Sequence, residues 1–286
     1  MAYLLLLGAV CCSGAMSITA NIFNKKNLKG IDFSSLYSLI VTASSFLVWS
    51  FIYFLDFSFD ARVLVYSSLF GIFYALAFIG LYYAMNTGSA SLTSFVKQLS
   101  LIAVAVWGFF FWDNPLTQTV VIGLVLVLVS LFLCFKPSRD GKMSLKWCFY
   151  SFFLIIGNAG CSIVQKYQQI SFNSSHSSLL MVGATFVAVL VCLFMYIKGE
   201  RPKLSDMSHH TAFLPIVAGV SSAVINVLVL KLLSSEIPES VFFPIIGVGG
   251  IILTTLFSVG VYKERLSPLR WSGLAVGLVA IVLLNI

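Results

Sequence analysis

Residues 136–146 read KPSRDGKMSLK, the longest polar interval in a chain of 286 residues that is 59% hydrophobic and 9% charged. A soluble domain carries about 25% charged residues, so most of this chain is unsuited to water. On both sides of the interval lie apolar runs close to the roughly 20 residues that a helix needs to cross a bilayer. The sequence therefore predicts an all-α integral membrane protein whose middle is residues 136–146.

Ten apolar runs are separated by polar breaks that carry charges, Pro, Gly or Asn. The predicted transmembrane helices are 2–23, 34–55, 63–85, 90–112, 118–136, 147–170, 177–197, 211–234, 239–262 and 269–285. Five precede the central interval and five follow it. We therefore predict a first repeat over 1–136, a connecting loop over 137–146 and a second repeat over 147–286.

The two halves align when one is shifted by 150 positions, which pairs Gly123 with Gly273. Because five is an odd number, the second repeat must enter the membrane from the opposite face, and a pseudo-two-fold axis in the membrane plane relates the repeats. Inverted repeats are typical of alternating-access carriers, although other membrane proteins also arise by duplication. The predicted fold is ten transmembrane helices as two inverted five-helix repeats.

Basic residues concentrate in the loops at one face of the predicted bundle. Thirteen Lys and Arg residues lie in the loops after helices 1, 5, 7 and 9, whereas Arg62 alone lies in the opposite loops. Because Lys and Arg favour cytoplasmic loops, this distribution places both termini outside. The net charge of +7 is spread over short loops instead of one amphipathic face, which argues against a nucleic-acid partner.

The segment Val261–Gly273 resembles the end of the drug/metabolite transporter superfamily, particularly its EamA-like members. It reads VYKERLSPLRWSG. A Glu-x-Leu turn begins at Glu264, and the aromatic residue and the glycine that follow in the family correspond to Trp271 and Gly273. The first half departs from this pattern, because Asn114 stands where the glutamate would be.

A second segment, Tyr82-Tyr83-Ala84-Met85 with Ala90-Ser91 after a short turn, resembles the family's junction between the third and fourth helices. The resemblance covers the ten-helix layout and implies a central cavity that opens alternately to each side. The family's substrates range from amino acids and nucleotide sugars to drugs. Many members are described with cytoplasmic termini, which is the opposite of what the loop charges indicate. The expected location is the cell membrane of a bacterium.

Lys97 lies about eight residues inside the fourth span, roughly 12 Å along a helix. An ionisable group at that depth is costly unless it faces a cavity or a partner. Thr93, Ser94 and Ser100 share its helical face. Lys97 is therefore a candidate anchor for a carboxylate or phosphate, or a lysine whose proton affinity couples transport to protons. The alternative is a stem that reaches the membrane interface.

Polar residues follow one face of two helices that occupy corresponding places in the repeats. Helix 1 carries Ser13, Ser17 and Asn21, helix 6 carries Asn158, Ser162, Gln165 and Gln169, and Asn226 is isolated in helix 8. Such stripes either line an aqueous cavity or hydrogen-bond neighbouring helices. Their recurrence in both repeats favours a cavity that binds substrate.

Aromatic and helix-bending residues complete the predicted substrate path. Tyr74 and Tyr82 could stack on a substrate ring or a quaternary amine. Pro244 removes a backbone hydrogen bond inside helix 9, and Gly247 beyond it permits bending, so both are candidate gating residues. Ordinary helix packing is the alternative for all four.

The sequence also restricts the substrate class. No span holds Asp or Glu well inside it, whereas carriers of cationic drugs generally need a membrane-embedded carboxylate. The predicted substrate is therefore an anionic or zwitterionic metabolite, such as an amino acid or organic acid. An exporter of drug-like, aromatic or cationic compounds is the alternative function, and a channel or a non-transport assembly protein is a further one.

Catalytic and metal-binding motifs do not occur at any span: there is no HExxH, GxSxG, paired carboxylate or Cys/His cluster. We therefore expect neither an enzyme nor a cofactor or metal. The expected partners are a small-molecule substrate and the lipid bilayer, with coupling to protons or to a counter-substrate. The protein is expected to be a monomer or a homodimer.

Overall fold

A computed structural model describes residues 2–26, 33–87, 90–112, 117–134, 145–199, 201–203, 207, 211–263 and 267–284, and all regular secondary structure in these ranges is α-helical. The helices are α1 (Ala2–Lys26), α2 (Ser34–Leu55), α3 (Val63–Thr87), α4 (Ala90–Phe111), α5 (Gln118–Cys134), α6 (Leu145–Ser171), α7 (Ser177–Lys198), α8 (Leu214–Leu233), α9 (Glu239–Tyr262) and α10 (Pro268–Leu284). The bounds lie within about three residues of the predicted spans. α6 begins inside the predicted connecting loop 137–146.

Prolines and residues with positive φ angles mark several helix boundaries. Pro215 lies in the first turn of α8, and Pro268 begins α10. Proline is tolerated there because the first amide groups of a helix have no acceptor within it. Between α6 and α7 the chain reverses through Asn173, Ser174 and His176, which have φ angles of 47°, 63° and 58°.

Seven helices in the described ranges, α1, α2, α3, α6, α7, α8 and α9, are long and apolar enough to cross a membrane. Among the side chains that the structure describes, the other three contain shorter apolar stretches, at 102–111, 118–133 and 271–284. The prediction of a multi-pass helical membrane protein is therefore confirmed. Ten crossings stay a prediction, because they depend on α4, α5 and α10.

The outer surface of the bundle is apolar, as α5 illustrates. Val127 and Leu131 are 1% and 4% exposed on its inner face, whereas Val125 and Phe132 are 52% and 69% exposed on its outer face. A helix that is apolar all round needs an apolar environment on both sides. Lipid supplies it on the outer side.

The bundle is held together by helix pairs that are distant in sequence. α3 packs against α6 and α7, α1 against α8 and α9, α2 against α7 and α8, α4 against α6 and α9, and α5 against α10. Residues 239–250 of α9 are all buried. The first half of α9 therefore lies in the interior of the bundle.

Glycine permits a close approach of α3 and α6. A Cβ atom on Gly80 would lie 2.5 Å from the Leu154 backbone nitrogen, and one on Gly157 would meet the backbone of Ala77. The backbones of the two helices are therefore in direct contact, as is typical of small residues at membrane helix interfaces. α5 and α10 are joined by a hydrogen bond that the Ser130 hydroxyl donates to the Gly273 carbonyl at 2.7 Å.

Candidate functional site

Lys97 lies on the protein-facing side of α4. Ser100 and Val104, about one and two turns further on, are 1% and 0% exposed, whereas Val106 and Phe110 on the opposite side are 43% and 77% exposed. The side chain of Lys97 is nevertheless exposed. Exposure on the protein-facing side of a helix is what a lysine beside an opening between helices would show. No carboxylate among the described residues pairs with it.

The polar neighbours predicted for Lys97 are described only in part. The Ser100 hydroxyl donates to the Lys97 carbonyl at 2.6 Å, so it is bonded to its own helix. The side chains of Thr93, Tyr82 and Asn21 lie outside the described residues, and Ser17 is half-buried on α1. The predicted roles of these four residues stay predictions.

Gln165 on α6 and Asn226 on α8 are in direct contact. Nε2 of Gln165 donates to Oδ1 of Asn226 at 3.0 Å and lies 3.5 Å from Sδ of Met181 on α7. Nδ2 of Asn226 in turn donates to the Ser222 carbonyl at 2.8 Å. Gln165 is only 3% exposed. Gln165 and Asn226 therefore form an interhelical hydrogen bond. The sequence left two roles open for the polar stripes, lining a cavity or bonding neighbouring helices, and this is the second.

Tyr74 brings α3 to the same cluster. Its ring stacks on Phe70 with centroids 5.9 Å apart, and its hydroxyl interacts with the side chain of Ser222. Ser222 is 4% exposed and lies one turn before Asn226 on α8. Three helices thus contribute predicted site residues to one polar cluster.

Asn158 and Ser162 are half-buried on α6. Nδ2 of Asn158 donates to the Leu154 carbonyl at 3.1 Å, so the side-chain amide is hydrogen-bonded to its own helix. Leu154 and Val96 of α4 belong to one apolar cluster. Asn158 lies one turn beyond Leu154 on α6.

The predicted gating region of α9 is closely packed. α9 continues through Pro244 as one helix, and both Pro244 and Gly247 are buried. A Cβ atom on Gly250 would lie 2.5 Å from the Ser13 hydroxyl oxygen on α1. The structure therefore buries Pro244 and Gly247 in a packed part of α9, and the gating role assigned to them stays a prediction.

An ion pair that the sequence did not predict joins α6 to α9. Lys166 pairs with Glu239, and its Nζ also donates to the Leu233 carbonyl at 3.1 Å. The two side chains are 18% and 4% exposed. The sequence indicated only that Lys166 lies near a helix end. Glu239 is the signal that could have predicted the pair. It is the one carboxylate within a helix in the described ranges, and a buried charge needs a partner.

These features identify the general class of this protein. Apolar outer faces, with a lysine and several amide side chains on the inner faces, are those of a multi-pass membrane protein with a polar interior. Residues 1–136 match the model of the EamA-like transporter family. This match confirms the resemblance over the first predicted repeat, and the members of that family are transporters.

Two further proteins are similar to the chain over nearly its whole length. An uncharacterized protein of Haemophilus influenzae is 24% identical over 290 residues, which span 96% of this chain and 95% of that protein. A solved crystal structure matches with a TM-score of 0.78 at 12% identity, covering 99% of this chain and 95% of that one. The second similarity shows that both chains share a fold.

Proposed function

We propose that this chain is a secondary transporter that moves a small anionic or zwitterionic metabolite across the membrane by alternating access. The observation that carries the proposal is the position of Lys97, exposed on the inner side of α4. A positive charge that no described carboxylate pairs attracts a carboxylate or phosphate strongly in an apolar bundle, because little water screens it. The family match over residues 1–136 supports the transporter class.

The helix contacts support two inverted repeats. When each helix is exchanged with the one five places away, the α1–α8 contact becomes α6–α3, α2–α8 becomes α7–α3, and α1–α9 becomes α6–α4. All six of these contacts occur. The α2–α7, α4–α9 and α5–α10 contacts map onto themselves and also occur. A two-fold axis between the repeats would produce this pattern.

The helix lengths support ten crossings. α5 and α10 have 17 residues each, at the lower end of the range of about 17–25 that spans a bilayer. α4 has 22 residues, which is within the same range, and Lys97 is the one charged residue in it. A helix that lines a polar cavity is expected to carry such a residue.

The charges of the described helices favour an anion or zwitterion over a cation. Glu239 is the one carboxylate in these helices, and Lys166 neutralises it. A cationic substrate would therefore find no free carboxylate in this part of the chain. Export of aromatic or cationic compounds is the competing function, and it is an outcome of the test below.

The test is thermal stabilisation of the purified protein by amino acids, organic acids, phosphorylated metabolites and quaternary amines. A ligand at about 100 times its Kd adds about 2.7 kcal/mol to stability. We expect an anion or zwitterion to raise the Tm of the wild type but not of Lys97→Ala. Lys231→Ala, which removes an exposed lysine from α8, is the matched control and should keep the response.

Stabilisation by cations alone, unchanged in Lys97→Ala, would contradict the proposed substrate class. Flux of the stabilising compound into proteoliposomes then tests transport itself. Single-channel currents in place of saturable flux would identify a channel.

A further inference from the structure

The Lys166–Glu239 ion pair connects two helices that are not neighbours along their lengths. α6 packs on α3, α4 and α8, whereas α9 packs on α1, α4, α5 and α10. In the described ranges, the ion pair therefore joins α6 to α9 at one end of the bundle only. It sets the distance between the two helices at that end. Such a contact holds α6 and α9 together at that end, although the two helices do not pack against each other along their lengths.

Each charge of the pair has a second partner at a helix end. Glu239 is the first residue of α9, where the helix dipole stabilises a negative charge. Lys166 also donates to the Leu233 carbonyl at the C-terminus of α8, where carbonyl groups have no partner within the helix. If the two charges separate, each of them therefore keeps one favourable interaction. This lowers the cost of opening a buried ion pair, which is otherwise high.

Hydrogen bonds beside the pair tie two turns of the second half together. Gln169 on α6 donates from Nε2 to the Ser177 hydroxyl at 2.8 Å. The Ser234 hydroxyl, after α8, donates to Oε1 of Gln169 at 3.3 Å, and it lies 2.7 Å from the Ser174 hydroxyl. The α6–α7 and α8–α9 turns are thus joined at the end of the bundle that holds the ion pair.

The first half of the chain is bound to the same end. The hydroxyls of Tyr66 on α3 and Ser171 on α6 are 2.9 Å apart. Nδ1 of His176 lies 3.0 Å from the Ser58 hydroxyl in the α2–α3 loop. We call this region, where the α2–α3, α6–α7 and α8–α9 loops meet, the latch end. Contacts here cross from one half of the chain to the other.

Among the described residues, no such ion pair lies at the opposite end. α4, which corresponds to α9 in the first repeat, begins at Ala90 where α9 begins at Glu239. Lys97 lies seven residues from that end of α4 and is exposed. The accessible lysine therefore belongs to the end of the bundle away from the ion pair.

We propose that Lys166 and Glu239 form a latch that closes the substrate cavity toward the latch end, while the cavity opens toward the other end. Opening of the pair then exposes Lys97 to the latch end. The proposal rests on the proposed transport function, because it assumes that the opening beside Lys97 is the substrate cavity.

The test is accessibility of a cysteine at position 97 in a chain whose six native cysteines are replaced. Lys97→Cys in oriented vesicles is treated with a membrane-impermeant maleimide from each face, and Ala61→Cys identifies the latch end. We expect labelling only from the opposite face. Adding Glu239→Gln or Lys166→Met should raise labelling from the latch end by about tenfold or more, because the open state becomes populated. Glu236→Gln, an exposed carboxylate just before α9, is the matched control and should change nothing.

Unchanged labelling from the latch end in a folded Glu239→Gln variant would overturn the proposal and leave the pair a structural contact. If that variant does not fold, Lys166→Met replaces it, and unchanged labelling from the latch end in folded Lys166→Met would likewise overturn the latch. Labelling requires no substrate, so a failure of the proposed transport function would appear in the flux assay and not here.

Discussion

Gln165 and Asn226 share a hydrogen bond that water cannot replace, because Gln165 is buried between three helices. An amide left without its partner in such a site costs about 1–3 kcal/mol. Interhelical hydrogen bonds in membranes contribute less in net terms, about 0.6 kcal/mol on average. The loss of one partner should therefore cost more than the loss of both.

We predict that Gln165→Leu lowers the free energy of unfolding by about 1–2 kcal/mol, because Oδ1 of Asn226 loses its donor. The double variant Gln165→Leu/Asn226→Leu should recover part of this loss. Melting in one detergent measures both, and Gln118→Leu, at an exposed site, serves as control. A double variant whose loss equals the sum of the single losses would refute the coupling.

Asp60 and Arg62 provide a prediction outside the membrane. Hydrogen bonds from Arg62 lower the pKa of the Asp60 carboxyl to about 2 from an ordinary value of 3.8. Because the folded pKa is lowered, the pair's contribution is present above about pH 3.8 and is lost as the pH falls through about 2. NMR titration of labelled Asp60 should show this, and Arg62→Gln should return the pKa toward 3.8. An unchanged titration in Arg62→Gln would remove Arg62 as the cause.

Among the elements, α3 and α6 depend most directly on small residues. Their contact places Gly80 against the backbone of Leu154 and of Tyr150, where no side chain can move aside. A backbone contact of this kind fixes the distance between two helices. The same two helices carry Tyr74 and Gln165, so this distance also positions the polar cluster.

We predict that Gly80→Ala destabilises the bundle by about 1–3 kcal/mol, the usual cost of overpacking. The new Cβ would lie 2.5 Å from the Leu154 nitrogen and 2.7 Å from the Tyr150 carbonyl oxygen, so α3 and α6 would have to separate. Gly260→Ala is the control, because nothing lies within 4 Å of its Cβ position. Size-exclusion profiles and melting curves compare the two, and equal behaviour would show that the α3–α6 contact tolerates expansion.

At the scale of the whole molecule, the number of crossings determines which loops share a face. Ten crossings place the α2–α3, α4–α5 and α6–α7 loops on one side and the ends of α7 and α9 on the other. α5 is the helix of the first half whose crossing most needs a direct test, because its 17 residues lie at the lower end of the length that spans a bilayer.

We predict that cysteines at Ala61, Thr117 and Ser175 react with an impermeant maleimide from one face, and cysteines at Lys198 and Lys263 from the other. All five sites are exposed. If α4 and α5 did not cross, Thr117→Cys would react from the face of Lys198→Cys. A cysteine-free chain is the control for background labelling.

The bounds of all ten helices could be predicted closely from the sequence, whereas the partners of their polar residues could not. Lys97, Gln165 and Asn226 were recognised as polar positions in apolar runs. Their surroundings were not, and the Lys166–Glu239 pair, which joins helices 73 residues apart along the chain, was missed.

The sequence by itself determined which segments leave water, because the free energy of entering lipid depends on the side chains of each segment alone. Only the tertiary structure decided that Lys97 faces inward, that Gln165 meets Asn226 and that Lys166 meets Glu239. A buried polar group obtains its partner from another helix, and that helix is positioned by packing contacts such as those of Gly80, far away in the chain.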